Sequence, residues 1–172
     1  MAGLADDDPA RWAYLAEGNR RQARKRVAVD VVIRDQVGRV LIVKPTYKED
    51  WDLPGGMAEE NEPPRKAAER ELREELGLTI TAGRLLTLDW VEPHGPWDDQ
   101  LVFVFDAGIL TPDAIATLRA VDEEISDFRF ADPTDCDRLL RPDIAALLTR
   151  ALHARDTGET DYREHSTQGG RR

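Results

Sequence analysis

Three glutamates crowded onto one turn of a helix constrain this chain more than any other feature. Residues 56–78 read GMAEENEPPRKAAERELREELGL, and the Pro63-Pro64 pair opens a helix that Gly77 closes. On that helix Ala68, Leu72 and Leu76 fall four apart and form an apolar seam, so one side packs on the body of the domain. Glu71, Glu74 and Glu75 stand at i, i+3 and i+4 and project three carboxylates from a neighbouring face. Like charges at this spacing cost about 0.2–0.5 kcal/mol per pair in an isolated helix, and more where water is restricted. Two offsets are available. Arg70 lies one turn from Glu74 and Arg73 one turn from Glu69, and such pairs recover a few tenths of a kcal/mol. The other is a divalent cation, since Mg²⁺ or Mn²⁺ takes hard oxygen ligands and leaves positions for water and phosphate.

The rest of the chain supplies a single domain around this helix. Its 172 residues are enough for one sizeable core, and 41% apolar content is that of a globular protein. Asp8-Pro9 begins a helix running to about Lys25, which makes residues 1–26 a helical extension. Its cationic end (Arg20, Arg21, Arg24, Lys25, Arg26) serves either the helix C-terminus as a solvated face or a phosphate or subunit contact. Val27, Val29, Val31 and Ile33 then line one face of a strand, a turn follows at 35–38, and residues 40–44 return as a hairpin. Further strand signals occupy 78–91, 100–109 and 126–131, with a short helix after Thr111-Pro112 and two helices within 133–154. Strands interleaved with helices of unequal length predict an α/β sandwich with a mixed sheet. Residues 155–172 are polar and read as a flexible tail.

Charge and cysteine content exclude several function classes. With 24 Lys and Arg against 34 Asp and Glu the formal charge is −10, which weighs against duplex nucleic acid as a partner. A phosphate compound remains possible if a cation neutralises both sides. The single Cys136 cannot close an intramolecular disulfide and fits a reducing cytoplasm. Apolar runs such as 101–105 and 144–148 are far short of the ~20 residues of a membrane span. Residues 1–9 carry three aspartates and no apolar stretch of the kind a signal peptide needs. A soluble cytoplasmic protein without membrane contact is therefore expected.

Around the acidic helix the fixed positions are Gly56, Glu62, Arg70, Glu71, Leu72, Glu74, Glu75, Gly77 and Leu78. They follow, without departure, the pattern Gly, five residues, Glu, seven residues, Arg-Glu-apolar-any-Glu-Glu-any-Gly-apolar. At ordinary residue frequencies a chance match in a chain this long is on the order of one in a million. The segment resembles the Nudix box of the Nudix hydrolase superfamily, and residues 27–154 resemble its domain. The resemblance implies an α/β/α sandwich with a mixed sheet. It also implies hydrolysis of a diphosphate linkage in a nucleoside diphosphate derivative or nucleoside triphosphate, with Mg²⁺ or Mn²⁺ as cofactor.

Carried over by position, Glu71, Glu74 and Glu75 match metal-ligand and base positions, and Arg70 the arginine that orients the first glutamate. Gly56 matches the glycine whose carbonyl approaches the metal, and Glu62 a glutamate supporting the join of loop and helix. Glu124, in the run Asp122-Glu123-Glu124 before a strand, stands where some members place a further metal ligand or base; a solvated acidic loop is the alternative. Glu71 and Glu124 are both candidates for the general base.

Outside the box the signals are weaker. Trp90, His94 and Trp97, with Pro93 and Pro96, make a stiffened aromatic loop on which a planar group could stack, and Tyr47 and Trp51 are either core or substrate wall. Pro93, fifteen residues after Leu78, resembles the ADP-ribose pyrophosphatase branch, whereas the lead-in Leu53-Pro54-Gly55-Gly56 resembles the nucleoside-triphosphate branch. Other readings are a non-catalytic nucleotide-binding module, a hydrolase of a non-nucleotide diphosphate, and an isopentenyl-diphosphate isomerase that would need Cys136 in its site. Dimerisation through the first helix or an exposed sheet edge is left open.

Overall fold

The computed structural model describes residues 9–165. Helix α1 (Pro9–Arg20) is followed by the strands β1 (Arg26–Arg34) and β2 (Val40–Pro45), the short strand β3 (Gly55–Met57) and helix α2 (Pro64–Leu76). Strands β4 (Leu85–Val91) and β5 (Gln100–Ile109) come next, then α3 (Pro112–Thr117), β6 (Ile125–Ala131), α4 (Pro133–Leu139), α5 (Pro142–Thr157) and β7 (Asp161–His165). The seven strands form one mixed sheet in the order β6-β2-β1-β5-β4-β7, with β3 paired to β1 off this path. β1 and β5 run parallel, as do β4 and β7, and the remaining pairs are antiparallel.

Period-two alternation splits the strands between two cores. Val29, Val31, Ile33, Leu41 and Val43 face α2, where Ala67, Ala68, Leu72 and Leu76 complete the layer. Val32, Val40, Ile42 and Val104 face α5, packing with Leu147, Leu148, Ala151 and Ala154. The result is the expected α/β/α sandwich. The apolar seam of α2 is buried as its spacing requires, and Gly77 ends the helix at φ 66°, its N–H donating to the Arg73 carbonyl. No helix among the described residues is long and apolar enough to cross a membrane.

Four expectations need correction. Helix α1 stops at Arg20, not Lys25, because Gly18 and Asn19 are poor helix formers and the N–H groups of Arg21 and Gln22 turn back to their carbonyls. Asp8, its expected cap, lies outside the described residues. Residues 78–84 are not a strand. The Ala82 N–H is taken by the Glu69 carboxylate at 3.3 Å, and Arg65 caps the Ala82 and Gly83 carbonyls, so side chains of α2 satisfy this backbone. Residues 155–165 are not a loose tail: α5 runs on to Thr157 and β7 pairs with β4 over five residues, Thr87↔Asp161 to Val91↔His165. Finally, Glu69 finds its ion-pair partner in Lys66 at 2.6 Å instead of Arg73.

Candidate active site

The acidic turn of α2 faces a cavity of about 400 Å³ whose other walls are β3, the end of β2 and the loop before β6. Glu71, Glu74, Glu75, Asp122 and Glu124 all line it, with Arg70, Gly55, Gly56 and Tyr47. Sequence distance is bridged by backbone bonds. Val121 N–H donates to the Glu75 carbonyl at 3.0 Å and Thr46 N–H to the Glu124 carbonyl at 2.8 Å, which clamps the 121–124 loop between α2 and β2. Within it, the Asp122 carboxylate accepts the Glu124 N–H at 3.1 Å. Glu124 is therefore brought to the box glutamates, and Asp122 and Glu59 join the walls although neither was singled out beforehand. Asp122 is no more than one member of an acidic run in the sequence, and only the loop clamp shows where it ends up.

Arg70 organises the cluster. Its guanidinium donates to Glu62 at 3.1 Å, Glu71 at 3.1 Å, Glu74 at 2.8 Å and the Met57 carbonyl at 2.9 Å. The hydrogen bonds from Arg70 hold the Glu62 carboxyl below its usual range despite partial desolvation. Glu71 shifts the other way, because burial outweighs the Arg70 attraction and Glu74 and Glu124 add repulsion. Glu75 is only 6% exposed; burial pushes its pKa up to about 9, with Glu71, Asp122 and Asp30 adding to the shift against one hydrogen bond from Gly55 N–H at 3.0 Å.

Two glycines make this approach possible. Gly55 adopts φ +151° and a Cβ there would run into the Val29 carbonyl, while a Cβ on Gly56 would occupy the place of the Glu71 carboxylate.

Among the described residues no three His, Cys, Asp or Glu side chains are gathered tightly enough to hold an ion as they stand. Arg70 draws Glu71 and Glu74 to itself and Gly55 holds Glu75. The donor chemistry nevertheless fits a hard divalent cation: carboxylate oxygens on one cavity, two of them with their charged forms disfavoured where no cation compensates them.

The aromatic candidates separate. Tyr47 stands at the rim of this cavity, 74% exposed. Trp51 does not reach it. It packs on the α5-side core under the Arg129 guanidinium, 4.9 Å from its ring centre. Trp90 Nε1 donates to Asp99 at 2.9 Å, and Trp97 lies beneath Arg26 at 4.6 Å. His94 instead lines a second cavity, of about 470 Å³, on the α5 side of the sheet. Its floor is Ala28, Asp30, Val91 and Val102, and its walls include Asp52, Asp89, Gln100, Arg141, Asp143, Ile144, Leu147 and His165. Gly55 lines the first cavity and Asp30, its cross-strand partner, the second. Burial pushes the Asp30 carboxyl up to about 8, with Asp52 adding to it. Cys136 is in neither cavity: it is buried at the start of α4, its thiol pushed up to about 11 by burial, which removes the isomerase reading.

Comparison with known proteins agrees with this geometry. A family model described as NUDIX domain matches residues 24–151. An RNA pyrophosphohydrolase of Hydrogenovibrio crunogenus is 38% identical over 38% of this chain and 41% of its own length. An 8-oxo-dGTP diphosphatase of Proteus vulgaris is 41% identical over 32% of this chain and 53% of its own. A CTP pyrophosphohydrolase of Escherichia coli is 36% identical over 41% and 56%. The chain thus spans about half the length of these curated relatives. Among solved structures, the MutT protein of Methanosarcina mazei superposes with a TM-score of 0.64 at 20% identity, covering 78% of this chain and 99% of that one. A UDP-X diphosphatase superposes at 0.67 and 18% identity over 91% and 75%. At such identities the two structures speak to the fold alone. The family match across most of the domain, the unbroken box and the clustering of its glutamates on one cavity together establish that this chain belongs to the Nudix hydrolase superfamily.

Proposed function

We propose that the protein is a divalent-cation-dependent hydrolase that cleaves a pyrophosphate linkage in a nucleoside triphosphate or nucleoside diphosphate derivative. The observation that carries the reading is the gathering of Glu71, Glu74, Glu75, Asp122 and Glu124 around one cavity with Arg70 as their counter-ion. Phosphates belong in that cavity, and the named relatives are an RNA pyrophosphohydrolase, a CTP pyrophosphohydrolase and an 8-oxo-dGTP diphosphatase. The group attached to the diphosphate belongs in the second cavity, whose lining of apolar side chains interspersed with polar groups suits a planar base.

Mg²⁺ or Mn²⁺ held by Glu71, Glu74, Glu75 and Glu124, with Gly56 contributing its carbonyl, would supply charge neutralisation on the phosphates and acidify a nucleophilic water. The residues themselves do the positioning. Arg70 holds Glu71 and Glu74 by hydrogen bonds of 3.1 and 2.8 Å, and Gly55 and Gly56 let the backbone approach closely. A glutamate with its proton affinity raised by burial, as at Glu71, is suited to accept a proton from the attacking water, and Glu124 across the cavity is the other candidate base. The free thiol of Cys136 accords with a cytoplasmic location.

The test is a panel of nucleoside triphosphates and nucleotide derivatives incubated with Mg²⁺ in isotopically labelled water, with products identified by mass spectrometry. Hydrolysis is expected, and Glu71→Gln and Glu75→Gln should each lower turnover by two or more orders of magnitude without loss of fold. Undiminished turnover in both variants overturns the mechanism, and phosphate-compound binding without any hydrolysis would return the non-catalytic module.

A further inference from the structure

The family match ends at residue 151, yet the chain continues into a strand that few forces of its own would order. Strand β7 (Asp161–His165) adds no buried side chain to either core: Asp161 is partly covered and the other four residues are exposed. It is held by a polar clasp. Arg150 on α5 reaches both strands, donating to Asp89 at 3.0 Å and to Asp161 at 2.6 Å, and Asp89 also meets His165 Nε2 at 2.7 Å. The His165 carbonyl accepts the Glu92 N–H at 3.1 Å, and Thr160 Oγ1 donates to the Leu85 carbonyl at 2.9 Å. Asp89, itself 4% exposed, is thus the anchor for a segment whose last residue, His165, enters the wall of the second cavity.

The hydrogen bonds assign the imidazole. A carboxylate can only accept, so the 2.7 Å contact to Asp89 puts a proton on His165 Nε2, and the 3.4 Å approach of Arg150 to the same nitrogen is not a competing bond. In the neutral ring Nδ1 is then an acceptor. Asp52 and Asp143 line the same cavity beside Val102, Ile144 and Leu147, but their carboxylates are taken by Lys48 and Arg141. With Arg141 and Gln100 bringing donors to the same lining, selection of an N–H donor on a bound ring falls to the His165 Nδ1.

We propose that β7 serves to carry His165 into the wall of the base cavity and that His165 is a specificity-determining residue that accepts a hydrogen bond from the exocyclic amino group of an amino-bearing nucleobase. This rests on the assignment of the substrate's base to the second cavity, and its test separates the two. Binding of methylene-bridged, non-hydrolysable analogues of CTP and UTP, and of inorganic tripolyphosphate, is measured by calorimetry with Mg²⁺ on the full chain. The two nucleotides differ at the ring position that carries the amino group, and tripolyphosphate has no base.

The wild type should bind the CTP analogue more tightly than the UTP analogue. His165→Ala should weaken the CTP analogue by about tenfold, the scale of one lost hydrogen bond, with tripolyphosphate unchanged and the preference over UTP gone. His165→Gln, which keeps a donor and an acceptor, should lose less. Ending the chain after Thr160 should reproduce His165→Ala, and near-ultraviolet circular dichroism checks that it still folds; the point variants stand if it does not. Ile144→Trp fills the cavity from α5, independently of β7. If it weakens both nucleotides while the His165 variants bind as wild type, the inference about β7 is overturned and the base cavity stands. If Ile144→Trp also leaves binding untouched, the assignment of the cavity falls and this inference with it. A wild type that binds CTP and UTP equally overturns the amino-group specificity.

Discussion

At the scale of single residues, the site is governed by carboxylates that the fold holds in unfavourable surroundings. Glu75 and Asp30 both resist ionisation through burial, at about 9 and about 8. Each has a folded pKa above its unfolded value, so its contribution to stability is complete below the ordinary carboxylate range and is lost as pH rises through the folded pKa. Metal-free protein should therefore lose thermal stability between about pH 5 and pH 9. Asp30→Asn, isosteric and neutral, should flatten part of this slope and raise Tm at pH 8 while changing little near pH 4; a Tm series across that range checks it. Arg70 poses the opposite case, a charge with four partners. Arg70→Ala would leave Glu62 and Glu71 side by side without their cation and should cost about 1–3 kcal/mol by urea unfolding, the scale of charge-assisted hydrogen bonds lost from a half-buried cluster. The glutamates and Arg70 were legible in the sequence because spacing alone puts them on one face. Trp51 was not, because an aromatic beside a motif looks the same whether it faces ligand or core, and the stacking of Arg129 from β6 decides it.

At the scale of elements, α2 does two jobs on two faces. Its seam of Ala68, Leu72 and Leu76 is fully buried against β1 and β2, which fixes the rotation of the helix and so the direction of its carboxylates. Leu72→Ala should cost about 2–5 kcal/mol in urea unfolding and, by loosening that rotation, lower activity in the protein that still folds. This helix, the β1–β2 hairpin and β5 could be read in advance, since each carries a strong local period or turn signal. Strands β3 and β7 could not. β3 has three residues, two of them glycine, and β7 is polar; each is held by pairing with a neighbouring strand, β1 or β4, and not by a pattern of its own. Residues 78–84 show the reverse error. Their apolar content suggested a strand, but Arg65 and Glu69 bond their backbone groups first.

For the whole molecule, the formal charge of −10 is unevenly spent: residues 56–78 alone contain seven Glu against four Lys and Arg. A cation that binds only the folded state should raise stability by about 2.7 kcal/mol at one hundred times its dissociation constant. Mg²⁺ should thus raise Tm, most at alkaline pH where Glu75 would otherwise be losing its proton, and Glu71→Gln combined with Glu75→Gln should remove the shift; calorimetry with and without chelator measures both. The sequence by itself determined the family, the layered α/β architecture and the turn of helix on which the carboxylates sit, because these follow from spacing and periodicity within a few dozen residues. Only the tertiary structure decided which distant groups complete the site. The loop at 121–124 closes on α2 through backbone hydrogen bonds, Asp30 is half-buried beside Asp52, and β7 folds back along β4 to bring His165 to Asp89. Those contacts join residues up to 76 positions apart. They depend on which sheet edges and backbone groups remain free once the core has formed, and no local pattern encodes that.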